Sequence, residues 1–129
     1  GSLANFFHGT HEECPNADII IASNVFEHLS DDINIAKDLL KKCRELYITV
    51  PYLESPLSLE HIRSYGENYF EPLGRYKYIV FPSKGWSEYG MPYVKLLVKN
   101  ALKALLGRKT VMRRKQIMFI FQGTGAGSR

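Results

Sequence analysis

The sequence predicts an α/β fold, and three segments carry that prediction. Asp18-Ile-Ile-Ile-Ala22 is an unbroken apolar run, too short for a helix and continuous in the way of a strand inside a parallel sheet. Ile33, Ala36, Leu39, Leu40 and Cys43 recur at helical spacing. Glu45-Leu-Tyr-Ile-Thr-Val50 is again strand-like, and Pro51, which has no amide hydrogen to give, suits a strand's exit. Strand, helix and strand in close succession make a right-handed βαβ unit with parallel strands.

The local chemistry supports each element. Ser30 is placed to cap the helix, and Asp31 and Asp32 fall in its first turn, where the helix dipole favours acids. Lys41, Lys42 and Arg44 close its last turn. A loop with Ser and Pro, Glu54-Ser-Pro-Leu-Ser-Leu-Glu-His61, follows the second strand, and a short helix is expected near Glu67–Leu73. Tyr76–Phe81 alternates as a third strand. Tyr93–Leu106 is helical: Val94, Leu97, Val98, Ala101, Leu102 and Leu105 form an apolar stripe. Lys95, Lys99 and Lys103 repeat at i+4 on the other side, and Gly107 stops it. Gln116–Phe121 is the last strand. With 129 residues and no repeat or linker, one domain is expected over residues 3–122, with a flexible tail over 123–129.

Composition excludes several classes. At 45% hydrophobic and 23% charged residues, the chain is neither a disordered tract nor a membrane span. No apolar run approaches the ~20 residues of a spanning helix. Cys14 and Cys43 form no zinc or disulfide pattern, which fits reduced thiols in the cytoplasm. Residues 1–88 carry net −5, whereas residues 89–129 contain no acid and carry net +9. The basic helix Tyr93–Leu106, with Lys95, Lys99, Lys103, Arg113 and Arg114, therefore offers a weak contact for anionic lipid or nucleic-acid phosphates. Its commoner alternative is a helix packed on the sheet with a wet lysine face.

In this order the segments resemble class I S-adenosylmethionine-dependent methyltransferases. Asp18–Leu29, DIIIASNVFEHL, resembles the family's fourth strand and the turn after it. Ser30-Asp31 with its helix and ELYITVP resemble the next helix and fifth strand. Leu59-Glu-His-Ile-Arg-Ser-Tyr65 with Asn68-Tyr69-Phe70 is similar to the EHxRxF…F segment of small-molecule members. The resemblance implies a partial Rossmann-like methyltransferase sheet: two parallel strands, a C-terminal antiparallel pair and flanking helices. In such sheets ligands lie beyond the carboxyl ends of the strands. It therefore implies S-adenosylmethionine near Ala22, Ser23 and Asn24, and a small-molecule acceptor near Glu27, His28 and His61. The histidines are candidate bases and Glu27 their orienting carboxylate. The aromatic residues Tyr65, Tyr69, Phe70, Tyr76, Tyr78, Trp86 and Tyr89 suit a flat or sugar-like acceptor, or else a core.

Two departures qualify what the resemblance implies. The family's Gly-rich strand-loop-helix stands about 60–80 residues before this point, but only 17 residues precede Asp18. The expectation is thus a C-terminal half, inactive alone, that binds cofactor only if a complete site is assembled. Its Asp18–Ala22 edge is left open for a homodimer or a partner chain. Gly123-Thr-Gly-Ala-Gly127 mimics the missing loop, but no helix follows it to supply amide donors. Second, two imidazoles and a carboxylate suit a divalent ion. In RNA 3′-end methyltransferases that hold a metal this way, a glutamate opens an E-x-x-E-H turn. Asn24 stands in its place here, and no metal is assigned.

Overall fold

The computed structural model describes residues 8–82, 98, 101–107 and 115–125. Its strands and helix are β1 (Ala17–Ser23), α1 (Asp32–Leu40), β2 (Cys43–Pro51), β3 (Tyr76–Pro82) and β4 (Lys115–Gln122). Short 3-10 turns lie at His11–Glu13, Phe26–His28 and Glu71–Leu73. The strands form one sheet in the order β1-β2-β4-β3. β1 runs parallel to β2, β4 antiparallel to β2, and β3 antiparallel to β4. The expected α/β arrangement is therefore present: a partial Rossmann-like sheet of two parallel strands and an antiparallel pair.

The period of two along β2 and β4 decides where the core sits. Leu46, Ile48 and Val50 face the same side as Phe121, Phe119 and Ile117, their register partners, and all are at most 1% exposed. Ala36 and Leu39 of α1 cover that face together with Phe26, Tyr65 and Phe70. The aromatic residues after Tyr65 mostly build this core instead of lining a pocket. The Phe70 ring sits 4.8 Å from Phe119 and 5.0 Å from Tyr69, both edge-on, a favoured arrangement of ring quadrupoles. Trp86 and Tyr89 lie outside the described residues.

Several boundaries differ from the sequence expectation. Helix α1 ends at Leu40, so Cys43 lies on β2, although it is still buried. Lys42 leaves the helix and its ammonium donates to the carbonyls of His11, Glu12 and Cys14. Asp31, one residue beyond Ser30, is the N-cap. The segment at Glu67–Leu73 makes turns and a 3-10 turn, not an α-helix. Of the predicted Tyr93–Leu106 helix, residues 98 and 101–105 are helical among those described. Their apolar side chains do not pack on the sheet: Val98, Leu102 and Leu105 are exposed. No helix among the described residues is long and apolar enough to cross a membrane.

Gly123 and Gly125 are not free tail. The amides of Gly123, Thr124 and Gly125 donate to the carbonyls of Arg44, Leu40 and Cys43. A Cβ on Gly123 would lie 2.1 Å from the Cys43 carbonyl oxygen, and one on Gly125 2.2 Å from the Cys43 nitrogen. These glycines let the chain lie against the α1–β2 junction. Among the described residues β1 is an edge strand of the sheet, with Ile19 and Ile21 53% and 71% exposed.

Candidate functional site

β1 ends at Ser23, and Asn24 turns the chain with a left-handed φ of 54°. Asparagine is among the few non-glycine residues that tolerate this region. Its amide donates to the Thr49 carbonyl at 2.9 Å, and its side-chain oxygen accepts from Gln116 Nε2 at 3.1 Å. The turn sits beyond the carboxyl ends of the two parallel strands, where open α/β sheets bind ligands. Ser23 and Asn24 are exposed there, while Ala22 faces the core.

The next residues are split between core and site. Phe26 is buried against Phe70, which fixes the 3-10 turn and sets Glu27 and His28 beside each other. The loop after β2 then folds over this turn. Ile62 N–H donates to the Glu27 carbonyl at 2.9 Å, and Leu53 N–H closes the loop on the Tyr65 carbonyl. Arg63 fastens it from below. Its Nη1 donates to the Leu29 carbonyl at 2.6 Å and pairs with the buried Asp32 carboxylate at 2.8 Å. Tyr65 O–H donates to the same carboxylate at 2.9 Å. His61 thereby reaches His28, with ring centroids 4.9 Å apart at 76°.

The three candidate catalytic residues are brought together. Nε2 of His28 and Nε2 of His61 each lie 3.9 Å from Glu27 Oε1. Each imidazole is oriented by its other nitrogen. His61 Nδ1 is 2.6 Å from Glu54 Oε2, and His28 Nδ1 is 3.1 Å from the Glu60 carbonyl oxygen. Carboxylate and carbonyl oxygens accept, so both Nδ1 atoms carry the hydrogen. In neutral imidazoles the Nε2 lone pairs then face the Glu27 carboxylate. Burial works to raise the Glu54 carboxyl, but hydrogen bonds from Ser58 and His61 outweigh it and hold Glu54 below the ordinary carboxylate range. Glu54 is therefore an anionic anchor for His61.

Glu54, Arg63 and Asp32 are the site-building residues that sequence reasoning missed. Glu54 and His61 stand in one loop, which was a faint signal. Nothing local marked Asp32 as more than a first-turn acid.

No protein-family model and no curated protein matches the chain. Two solved structures of the N-terminal domain of EvdMO1 resemble it. The one determined in the presence of SAH and D-fucose shares 14% identity with a TM-score of 0.37, covering 88% of this chain and 50% of that one. The one with SAH bound shares 14% identity with a TM-score of 0.35, covering 84% and 47%. The chain thus spans about half the length of these structures, and no residue role is transferred from them.

Proposed function

We propose that the chain is the acceptor-side half of an S-adenosylmethionine-dependent methyltransferase acting on a small molecule. The observation that supports this most is the convergence of Glu27, His28 and His61 beside the exposed Ser23-Asn24 turn, past the ends of parallel β1 and β2. S-adenosylmethionine, when bound, supplies a methyl group on a positive sulfur. Ser23 and Asn24 fit its methionine and ribose end. The chain's own residues handle the acceptor. His61 Nε2, oriented by Glu54, would take the proton of an acceptor hydroxyl as the new carbon–oxygen bond forms and the methyl's bond to sulfur breaks, its electron pair staying on the now neutral sulfur. The buried Glu27 carboxylate then stabilises the resulting imidazolium.

The cofactor's Gly-rich cradle is assigned to a second polypeptide, another copy or a partner chain, docked on the β1 edge that no described strand covers. A folded chain that sediments as a monomer throughout the micromolar range, alone and with candidate partners, would count against that docking.

Calorimetric titration with S-adenosylhomocysteine tests the reading. A complete site, assembled across two copies of the chain or with a partner carrying the cradle, is expected to give a dissociation constant of about 1–100 μM, weakened at least several-fold by Asn24→Lys. No heat at several millimolar ligand (roughly the weak limit of ligand binding), or heat indifferent to Asn24→Lys, overturns it.

A second reading, a binding module for anionic surfaces, is favoured by one observation. Val98, Leu102 and Leu105, helical among the described residues, and Leu106 just after them are exposed, as in helices that lie on lipid; Lys95, Lys99, Arg113 and Arg114 lie outside the described residues.

A further inference from the structure

We infer that His28 Nε2, His61 Nε2 and a Glu27 carboxylate oxygen together bind one divalent cation of the zinc type. The inference deepens the proposed acceptor site and takes its catalytic meaning from that reading, but its existence stands on geometry alone. Three lone-pair groups converge with no hydrogen between them. Both Nδ1–H groups are engaged outward, by Glu54 and by the Glu60 carbonyl, and a carboxylate has none to give. Glu27 Oε2 is buried without any hydrogen-bond partner, on a side chain only 2% exposed. Such an orphan is costly unless a positive group satisfies it, and a cation held by both carboxylate oxygens would reach Oε2 together with Oε1, the oxygen that faces the two imidazoles.

A proton answers this poorly. At 3.9 Å from either Nε2, Glu27 Oε1 is beyond hydrogen-bonding range. A cation fits better. The ligand atoms of the three residues lie within 4.8 Å of one another, and tetrahedral bonds of about 2.1 Å separate ligands by ~3.4 Å. Small side-chain rotations close that difference.

The surrounding residues match a metal's outer shell as well. Ligating imidazoles usually donate their second nitrogen to a carboxylate or a carbonyl, and here one does each. Imidazole nitrogen selects zinc-like ions over magnesium or calcium. Three protein ligands leave a position open, as in catalytic zinc sites, on the side where His28 is 40% exposed. That position takes water or an acceptor oxygen, whose proton the ion makes more acidic. Proton transfer to His61 thus describes the ion-free site. The sequence argument against a metal rested on Asn24, but its side-chain oxygen is held by Gln116 and the three-residue set does not need it.

The test uses the full chain, stripped with chelator, loaded with Zn2+ and gel-filtered. It is expected to retain about one equivalent, the stoichiometry of a single three-ligand site. His28→Ala and His61→Ala each are expected to weaken retention at least 100-fold, and Glu54→Ala by about 10–100-fold. His11→Ala is expected to change nothing. Because alanine variants risk misfolding, the imidazole nitrogen resonances of the unaltered chain give a second reading. Zn2+ must shift Nε2 of His28 and His61 and spare His11. No retained zinc, retention unaffected by both substitutions, or unshifted His28 and His61 resonances overturns the site. A failed S-adenosylhomocysteine titration with zinc still bound would remove the cofactor reading and leave the ion site standing.

Discussion

Glu54 and His61, seven residues apart on one loop, meet through a 2.6 Å hydrogen bond that decides which imidazole nitrogen keeps its lone pair. Ser58 completes the arrangement by giving both its amide and its hydroxyl to the other Glu54 oxygen. If Glu54 fixes the tautomer, Glu54→Ala should let the His61 proton redistribute between its nitrogens. Nitrogen NMR of the folded variant is the check. In the unaltered chain Nε2 should resonate as an unprotonated nitrogen, and in the variant toward an average of the two forms. An unchanged spectrum would mean that the loop itself, not the carboxylate, orients the ring.

Arg63 is expected to be the most consequential single side chain of the loop. Its partner Asp32 is buried, and Tyr65 donates to the same carboxylate. Removing the cation leaves an uncompensated buried charge, which costs about 3–5 kcal/mol. Arg63→Met should lower stability by that order in urea denaturation. Asp32→Asn in the same background should recover part of it, since the stranded charge is then gone. Equal losses for the single and double variants would show that Arg63 acts through packing of its stem.

The parallel unit and its core were legible because their signals are local. The isoleucine run, the 3.6-residue period of α1 and the alternation along Gln116–Phe121 each lie within a dozen residues. Helix α1's end was not, because Cys43 faces the core whether it extends the helix or begins β2. The decision is made by Lys42, whose ammonium bonds to carbonyls 28–31 residues earlier. The site shows the same division. Glu27 and His28 could be read from one turn, whereas His61 joins them through partners distant in sequence: Ile62 N–H on the Glu27 carbonyl, and Arg63, whose bonds span 33 and 34 residues to Ser30 and Leu29. No periodicity records such a contact.

Alkaline pH should destabilise the loop's foundation. Burial first, then the neighbouring Asp32 carboxylate, push the Tyr69 phenol up from 10.0 to about 12, and burial raises Tyr65 further still. A group whose pKa is raised by folding favours the folded state while it is protonated in both states. Its contribution is therefore complete below pH 10 and is lost as pH rises through about 12. Denaturation midpoints measured at intervals across that window should fall with pH. Tyr69→Phe should flatten the fall, and a slope identical to that of the unaltered chain would show that other groups cause it.

The anionic-surface reading makes a demand that the methyltransferase reading does not. Apolar side chains exposed beside a lysine row bind lipid through area plus charge, and the charge contribution fades as salt shortens the Debye length to about 8 Å at physiological ionic strength. Vesicles containing phosphatidylserine should therefore retain the chain at low salt and release most of it as salt rises. Neutral vesicles should retain little at either salt. Leu102→Glu should weaken retention by about tenfold or more, since burying a leucine is worth about 1.5–3 kcal/mol and a charge resists entering the apolar layer. The substitution lies outside the sheet's core, so it should leave denaturation unchanged. Retention that ignores both salt and Leu102→Glu would assign the exposed stripe to something other than lipid.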